Sequence, residues 1–290
     1  MISGSDAMNM QVLTIQAADG YQLSALYGTA TICTKGTAVL SSATGVKKEF
    51  YINFAQFLMD QGYDVVLFDY RGIGGSAPGD LRSSLIFMHD WGIKDMNDVM
   101  NYLVRERHCT NVTWIGHSIG AQLTGFIEHH QYIRKVVAIN AAVGYWRYFP
   151  FPMNVGIWVM WYLVSPLMLK WYGYGKMRQI GWGEDLPRNA IIEWREWCTN
   201  PHYYRKCVND TLSMDRFYHF TRPVTALYTS DDYIANDKTV SLMMQFFPNA
   251  QVKIRKIWTS RYTRDKVGHT GMFRKKFKDT LWPLIVESME

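Results

Sequence analysis

The sequence predicts an α/β fold, a mostly parallel sheet with helices packed on both faces. Three observations carry that expectation. Strand-length apolar runs alternate with helical stretches along most of the chain. Tyr63–Phe68 reads as one apolar stretch, typical of a strand covered on both sides. The chain also begins with an antiparallel hairpin signal before the alternation sets in. Its 290 residues suffice for one large domain or two ordinary ones.

In order, Gln11–Gln16 and Tyr21–Gly28 form the hairpin, joined through Ala18-Asp19-Gly20. Thr37–Ser42 is a short apolar strand. Phe50–Gln61 carries Phe50, Phe54, Phe57 and Leu58 at helical spacing and stops at Gly62. After the Tyr63–Phe68 strand, Asp90–Arg107 reads as a helix, Asn111–Ile115 as a strand and Ile119–His130 as a helix. Val136–Ile139 and Val224–Tyr228 are further strands. Asn236–Phe246 is helical, Gln251–Ile257 a strand and Met272–Ser288 a closing helix. No internal repeat or low-complexity tract is present.

The alternation breaks once, between Tyr145 and His219, where helix-like stretches are rich in Trp, Met and Tyr. Seven of the 11 tryptophans fall between Trp146 and Trp197. Tyr148 to Leu169 is uncharged, flanked by Arg147 and Lys170, and by length could span a membrane. Against that, Pro150, Pro152, Asn154 and Pro166 should break the helix repeatedly. A single crossing would also separate the strands after Val224 from those before it. The expectation is an apolar helical insert capping the sheet, with no transmembrane span and with peripheral lipid contact left open. The layout is therefore a tag or disordered start at 1–9, a core at 10–144 and 220–290, and a helical cap at 145–219.

Composition is that of a globular protein, 48% hydrophobic and 19% charged. Cys33, Cys109, Cys198 and Cys207 form no C-x-x-C pair and no metal-ligand spacing, so reduced thiols in a cytoplasmic protein are expected. MISGSDAM lacks a basic region followed by an apolar core and is no secretory signal. The formal net charge is +6, and ten Lys/Arg between Lys253 and Lys278 face a single acid, Asp265. A solvated basic face is the plainer reading. No nucleic-acid motif accompanies these charges, so no nucleic-acid partner is expected.

The most informative stretch is Gly116-His117-Ser118-Ile119-Gly120. It has the G-x-S-x-G form and lies between a strand and a helix, the setting that gives this pattern meaning. Such a turn holds the serine in a strained conformation and presents its hydroxyl at the strand end. Side chains at the two glycines would collide with neighbouring elements. The following helix directs free N–H groups toward a developing oxyanion. A serine needs a positioned base, itself held by an acid, and both should follow at strand ends. Asp231 and Asp232 end one downstream strand, and His269 lies in a glycine-flanked loop after the next. His129 and His130 end a helix, and His89, His108, His202 and His219 lack a strand-end setting. His117 neighbours the serine but points elsewhere.

On these residues the chain resembles the α/β-hydrolase superfamily from about Met10 onward. Asp69-Tyr70-Arg71-Gly72-Ile73-Gly74-Gly75-Ser76 is similar to the family's D-x-R-G-x-G-x-S loop, and the insert occupies the place of its lid. The branch it looks like is the esterase/lipase-like one, of serine-aminopeptidase and monoacylglycerol-lipase type. The resemblance implies Ser118 as nucleophile, His269 as general base, and Asp232 rather than Asp231 as the acid. It also implies oxyanion donors at the backbone N–H of Ile119 and of Thr44, with Gly45 an alternative, although Ser42-Ala43 replaces the usual His-Gly. The function so implied is hydrolysis of an ester or thioester of an apolar acyl or aryl substrate, with no metal or organic cofactor. Aminopeptidase, amidase or acyltransferase chemistry on the same residues is the alternative. A peptidase would need acids in the insert, for which Glu184, Asp185, Glu193 and Glu196 are available, though on a helix they should face water. A non-catalytic binding protein would show damage among the three residues, and the sequence shows none. Oligomeric state is left open.

Overall fold

The structure, a computed structural model, describes residues 10–32, 35–205 and 215–290. The expected start at 1–9, together with Cys33 and Cys207, lies outside the described residues. Eight strands form one sheet: β1 (Met10–Gln16), β2 (Gln22–Gly28), β3 (Thr37–Ser41), β4 (Asp64–Phe68), β5 (Val112–His117), β6 (Ile133–Ile139), β7 (Val224–Thr229) and β8 (Val252–Ile257). Their spatial order is β1-β2-β4-β3-β5-β6-β7-β8. β1 pairs with β2, and β2 with β4, antiparallel; every other pairing is parallel.

The central strands are apolar because both faces are covered. β3, β4, β5 and β7 have almost no exposed residue. On one side α1 (Ile52–Asp60) and the C-terminal α9 (Trp282–Met289) pack Phe54, Leu58, Trp282 and Ile285 against alternate strand residues such as Val65, Ile115 and Val137. On the other, α2 (Met96–Arg105), the short α3 (Ile119–Gln122) and α8 (Asp237–Met244) cover Val66, Trp114 and Val136.

From β3 the chain runs first to β4 on one side and later to β5 on the other. This reversal opens a crevice at the carboxyl ends of the parallel strands, where α/β sheets bind ligands. The register lines up Ser41 with Gly116 and His117 with Ile139 along that rim.

Two expected helices are shorter than the sequence suggests. Ile119–His130 is α-helical only to Gln122 and continues as a 3-10 turn over Thr124–Phe126. Gly125 lies in that turn, where a Cβ would clash with the Phe217 ring packed against it. Met272–Ser288 begins as 3-10 turns at Gly271–Phe273 and Lys275–Phe277 and becomes α-helical only at Trp282, with Pro283 in the first turn where its missing N–H costs nothing.

Between β6 and β7 the described residues hold α4 (Met153–Val159), α5 (Ser165–Tyr172), α6 (Arg188–Thr199) and α7 (Asp215–His219), with no strand. Pro166 does not break its helix as expected. A π-turn over Met160–Val164 joins α4 to α5, and Pro166 falls in the first turn of α5, so the helix runs from Met153 to Tyr172. No helix among the described residues is long and apolar enough to cross a membrane.

Candidate active site

β5 carries the chain out of the sheet centre and straight into Ser118, whose backbone stands at φ 53, ψ −116. A non-glycine residue in that region stores about 1–3 kcal/mol of strain and persists only where its surroundings over-determine it. They do so here. Ser118 N–H donates to the Ile139 carbonyl (2.8 Å), and the Ser118 carbonyl accepts from Ala121 and Gln122 N–H (3.0 and 3.2 Å). A Cβ on Gly116 would strike the Ala121 backbone, and one on Gly120 the Ser41 carbonyl. Behind the turn, the Ser41 hydroxyl donates to the Gly120 carbonyl (2.8 Å) and accepts from the Trp114 indole N–H (2.8 Å).

The structure brings Ser118, His269 and Asp232 into one line. His269 Nε2 is 3.0 Å from Ser118 Oγ, and His269 Nδ1 is 2.6 Å from Asp232 Oδ2. Because the carboxylate only accepts, Nδ1 carries the proton and Nε2 is left to accept from the serine hydroxyl. Asp232 is buried just past the end of β7, and its other oxygen accepts from Ile234 N–H (2.8 Å). Burial pushes this carboxyl up, but the His269 imidazole and the N–H groups of Ala235 and Ile234 outweigh burial and hold it below its ordinary value. Asp231 turns the other way. Its Oδ2 accepts from Val267 N–H (2.7 Å), pinning the His269 loop two residues before the histidine.

Three further residues fix that loop, and nothing in the sequence singled them out for it. Asn140, at the end of β6 with φ 50, donates through Nδ2 to the His269 carbonyl (2.7 Å). His117 donates to the same carbonyl through Nε2–H (2.9 Å), so its Nδ1 accepts from the Tyr51 hydroxyl (2.7 Å), which in turn accepts from Ala43 N–H (3.1 Å). Complete burial, then the neighbouring His269, lower the His117 pKa to about 3, so it is a neutral tie. The chain Ala43–Tyr51–His117–His269 thus joins the loop after β3 to the histidine. A positive-φ asparagine at a strand end was the signal available in principle, but φ is invisible in sequence.

The loop after β3 passes beside Ser118. Thr44 and Ser118 line one cavity of about 350 Å³. Ala43 N–H is taken by Tyr51, whereas the backbone N–H groups of Thr44 and Ile119 have no hydrogen-bond partner among the described residues. Gly45, the alternative, is buried against the Trp182–Glu184 backbone, its carbonyl accepting from Glu184 N–H (2.7 Å). The Asp69–Ser76 loop touches no part of the cavity and acts as a brace. Asp69 accepts from Lys48 N–H (2.8 Å) and ion-pairs with the Lys48 ammonium (2.6 Å), while Arg71 pairs with Asp95 (2.6 Å) and Asp19 (2.7 Å). Burial works against the Lys48 charge, but Asp69 and Glu49 together keep its pKa above the ordinary value.

The cavity walls come largely from the β6–β7 segment: Phe149, Met153, Ile157, Trp161, Trp182 and Trp194. Among the described residues no Asp, Glu, Lys or Arg lines it. Of the acids considered for a peptide amine, Glu184 pairs with Arg178 and Asp185 accepts from Arg178 N–H (3.0 Å). Glu196 is exposed. Glu193 does not face water as expected. It is buried and holds His89, accepting from Nδ1–H (2.6 Å) and from the backbone N–H (3.0 Å), which moors α6 to the segment before α2. Among the described residues no cluster of His, Cys, Asp or Glu is arranged to hold a metal.

The family model described as serine aminopeptidase, S33 matches residues 33–257, most of the chain and all but the last of the three aligned residues. The chain belongs to that family. No curated protein sequence matches it significantly. Among solved structures, an esterase from Exiguobacterium antarcticum is similar over 96% of this chain and 99% of its own, with TM-score 0.60 and 17% identity. The Pyrococcus furiosus esterase Pf2001 is similar over 98% and 92%, with TM-score 0.60 and 15% identity. Mouse alpha/beta hydrolase domain-containing protein 10 is similar over 96% and 98%, with TM-score 0.57 and 14% identity. Such identities speak for the fold. With the family, they make this an α/β-hydrolase-type enzyme.

Proposed function

We propose that this S33-family chain is a serine hydrolase acting on an ester or thioester with an apolar acyl or aryl group. The observation that carries the reading is the hydrogen-bonded line from Ser118 through His269 to Asp232 on the floor of an uncharged, aromatic-walled cavity. In this mechanism His269 Nε2 takes the Ser118 proton as Oγ attacks the acyl carbon. The oxyanion accepts from the N–H groups of Ile119 and Thr44, both otherwise unpartnered. Asp232 keeps Nδ1 protonated and stabilises the imidazolium, which gives its proton to the leaving alkoxide or thiolate. A water, deprotonated by the same nitrogen, releases the acid and restores Ser118. The β6–β7 segment serves as the lid, and its apolar inner wall takes the acyl chain.

Aminopeptidase chemistry on the same residues needs a carboxylate near the substrate amine. The absence of any acid among the described residues of the cavity lining favours the esterase reading over it. The test is a panel of p-nitrophenyl esters of increasing chain length beside aminoacyl-anilides, together with fluorophosphonate labelling. Ester hydrolysis and labelling at Ser118 are expected, with labelling far slower in His269→Ala. Turnover of the anilides without the esters overturns the reading.

A further inference from the structure

The outer surface of the Met153–Tyr172 helix carries large apolar side chains that, apart from the contacts of Tyr162 with Trp146 and Arg195, no other described element covers. Its inner side is accounted for: Met153, Ile157 and Trp161 line the cavity, and Met160 and Met168 are buried beneath it. Its outer side presents Val155, Trp158, Tyr162, Leu163, Leu167 and Trp171 to solvent, led in by Phe151. Phe151 is 82% exposed, Trp171 69% and Leu163 50%. Single exposed hydrophobics are ordinary, but a run of them along one helix marks an interaction surface.

Charge selects the occupant. From His129 to Gly183 the sequence contains no Asp or Glu, and between Tyr145 and Gly183 it carries four cations: Arg147, Lys170, Lys176 and Arg178. Arg178 is paired with Glu184, while Lys170 is exposed and has no acidic partner among the described residues. A second copy of the chain docked face to face would set these cations against their own images, because a two-fold interface repeats the same patch on both sides. An anionic surface meets no such repulsion. Aromatic residues at both ends of the strip, Phe151 and Trp171, are of the kind that settles at the boundary between headgroups and acyl chains, and a helix lying in that plane buries one face only.

We propose that this face is a docking surface for an anionic phospholipid membrane. The Met153–Tyr172 helix lies in the interface plane with Phe151, Leu163, Leu167 and Trp171 among the acyl chains. Lys170 and Lys176 reach the phosphates. The same helix then lies between the bilayer and the cavity. The inference stands on the outer face alone and is independent of the esterase reading, so it is measured on Ser118→Ala protein, which cannot consume the lipid.

The experiment is co-sedimentation of the full chain with vesicles of phosphatidylcholine alone or mixed with phosphatidylglycerol. Binding to the phosphatidylglycerol vesicles is expected, weakened by salt and about tenfold weaker on phosphatidylcholine alone. Phe151→Ser with Trp171→Ser should lower binding to the anionic vesicles tenfold or more. Lys170→Gln with Lys176→Gln should lower it about tenfold on anionic vesicles and leave the neutral ones unchanged. Quenching of tryptophan fluorescence in the unsubstituted outer face by brominated acyl chains gives the same answer without any change at the helix. Absence of binding, or binding that ignores both pairs of substitutions, overturns the proposal. So does a dimer in solution that Phe151→Ser with Trp171→Ser dissolves while vesicles are ignored, since that assigns the face to a second copy.

Discussion

Around Ser118 the side chains that shape the site are joined by a connected set of hydrogen bonds, whereas the β6–β7 segment above it is rich in contacts of ring against ring. Trp161 meets Trp194 edge-on at 4.9 Å and Trp182 at 6.4 Å, and Trp158 stacks on Tyr162 at 5.5 Å. Polar bonds moor it as well, among them the Arg216–Glu128 ion pair (2.7 Å) and Arg188 N–H to the Leu81 carbonyl (3.1 Å). Glu193 holds His89, Glu184 N–H reaches Gly45, and the hydroxyls of Tyr203 and Tyr204 reach Gln122 (3.0 and 2.8 Å). Directional bonds fix positions to tenths of an ångström. Apolar contacts fix volume and tolerate rearrangement. The strand-end frame is therefore suited to align a proton path, and the segment above it to shape a pocket.

The contrast is broken most severely at the frame. Ser118→Ala and His269→Ala should each lower kcat/KM for a short-chain ester about 10⁴-fold or more, with the near-ultraviolet circular dichroism unchanged. Asp232→Asn should cost about 10³–10⁴-fold, because the amide no longer holds Nδ1 protonated. Its neighbour Asp231→Asn should cost less than about tenfold, appearing instead as a lower melting temperature through the weakened Val267 tie. Equal losses at both aspartates would erase the distinction drawn from their partners.

Smaller effects sharpen the comparison. Gly120→Ala should destabilise by about 2–3 kcal/mol in urea titration, since its methyl meets the Ser41 carbonyl and hydroxyl, both held in the buried centre of the sheet. Ile157→Ala, in the apolar wall, should raise the long- to short-chain ester ratio about tenfold with little change in kcat for the short one. The smallest effect concerns pH. Folded His117 stays neutral down to about 3, while the unfolded imidazole titrates near 6.5. As pH falls below 6.5 only the unfolded chain gains this proton, so the stability present above 6.5 is lost toward pH 3. At one unit below 6.5 the share of His117 is about 1 kcal/mol, and His117→Gln should show a correspondingly shallower acid slope in denaturant titrations.

Most of the frame was legible because its elements announce themselves locally. β-branched runs mark β5 and β7, and Gly116 and Gly120 bracket the serine at the spacing a strand-to-helix turn requires. What stayed hidden depended on contacts distant in sequence. The mooring of Glu193 on His89 joins residues 104 positions apart, and an acid on a helix normally reads as solvated. The need for a glycine at 125 comes from the Phe217 ring, which reaches it from α7, far along the chain. Asn140 carries no motif, yet its amide ties a loop to a strand end, donating to His269 and accepting from Thr229 N–H (3.1 Å). Pro166 misled because its penalty assumes a regular helix, and the π-turn before it removes that assumption.

The two glycines flanking Ser118 are closed to every larger residue by main-chain atoms, while the hydroxyl between them contributes nothing to that packing. Under the proposed mechanism, a descendant of this chain could discard its chemistry with one base change and keep its shape. It could not discard either neighbour without rebuilding the centre of the sheet. In such a lineage the bare bracket would outlive the activity, so glycine spacing alone is a record of ancestry and only the residue it encloses speaks for present work.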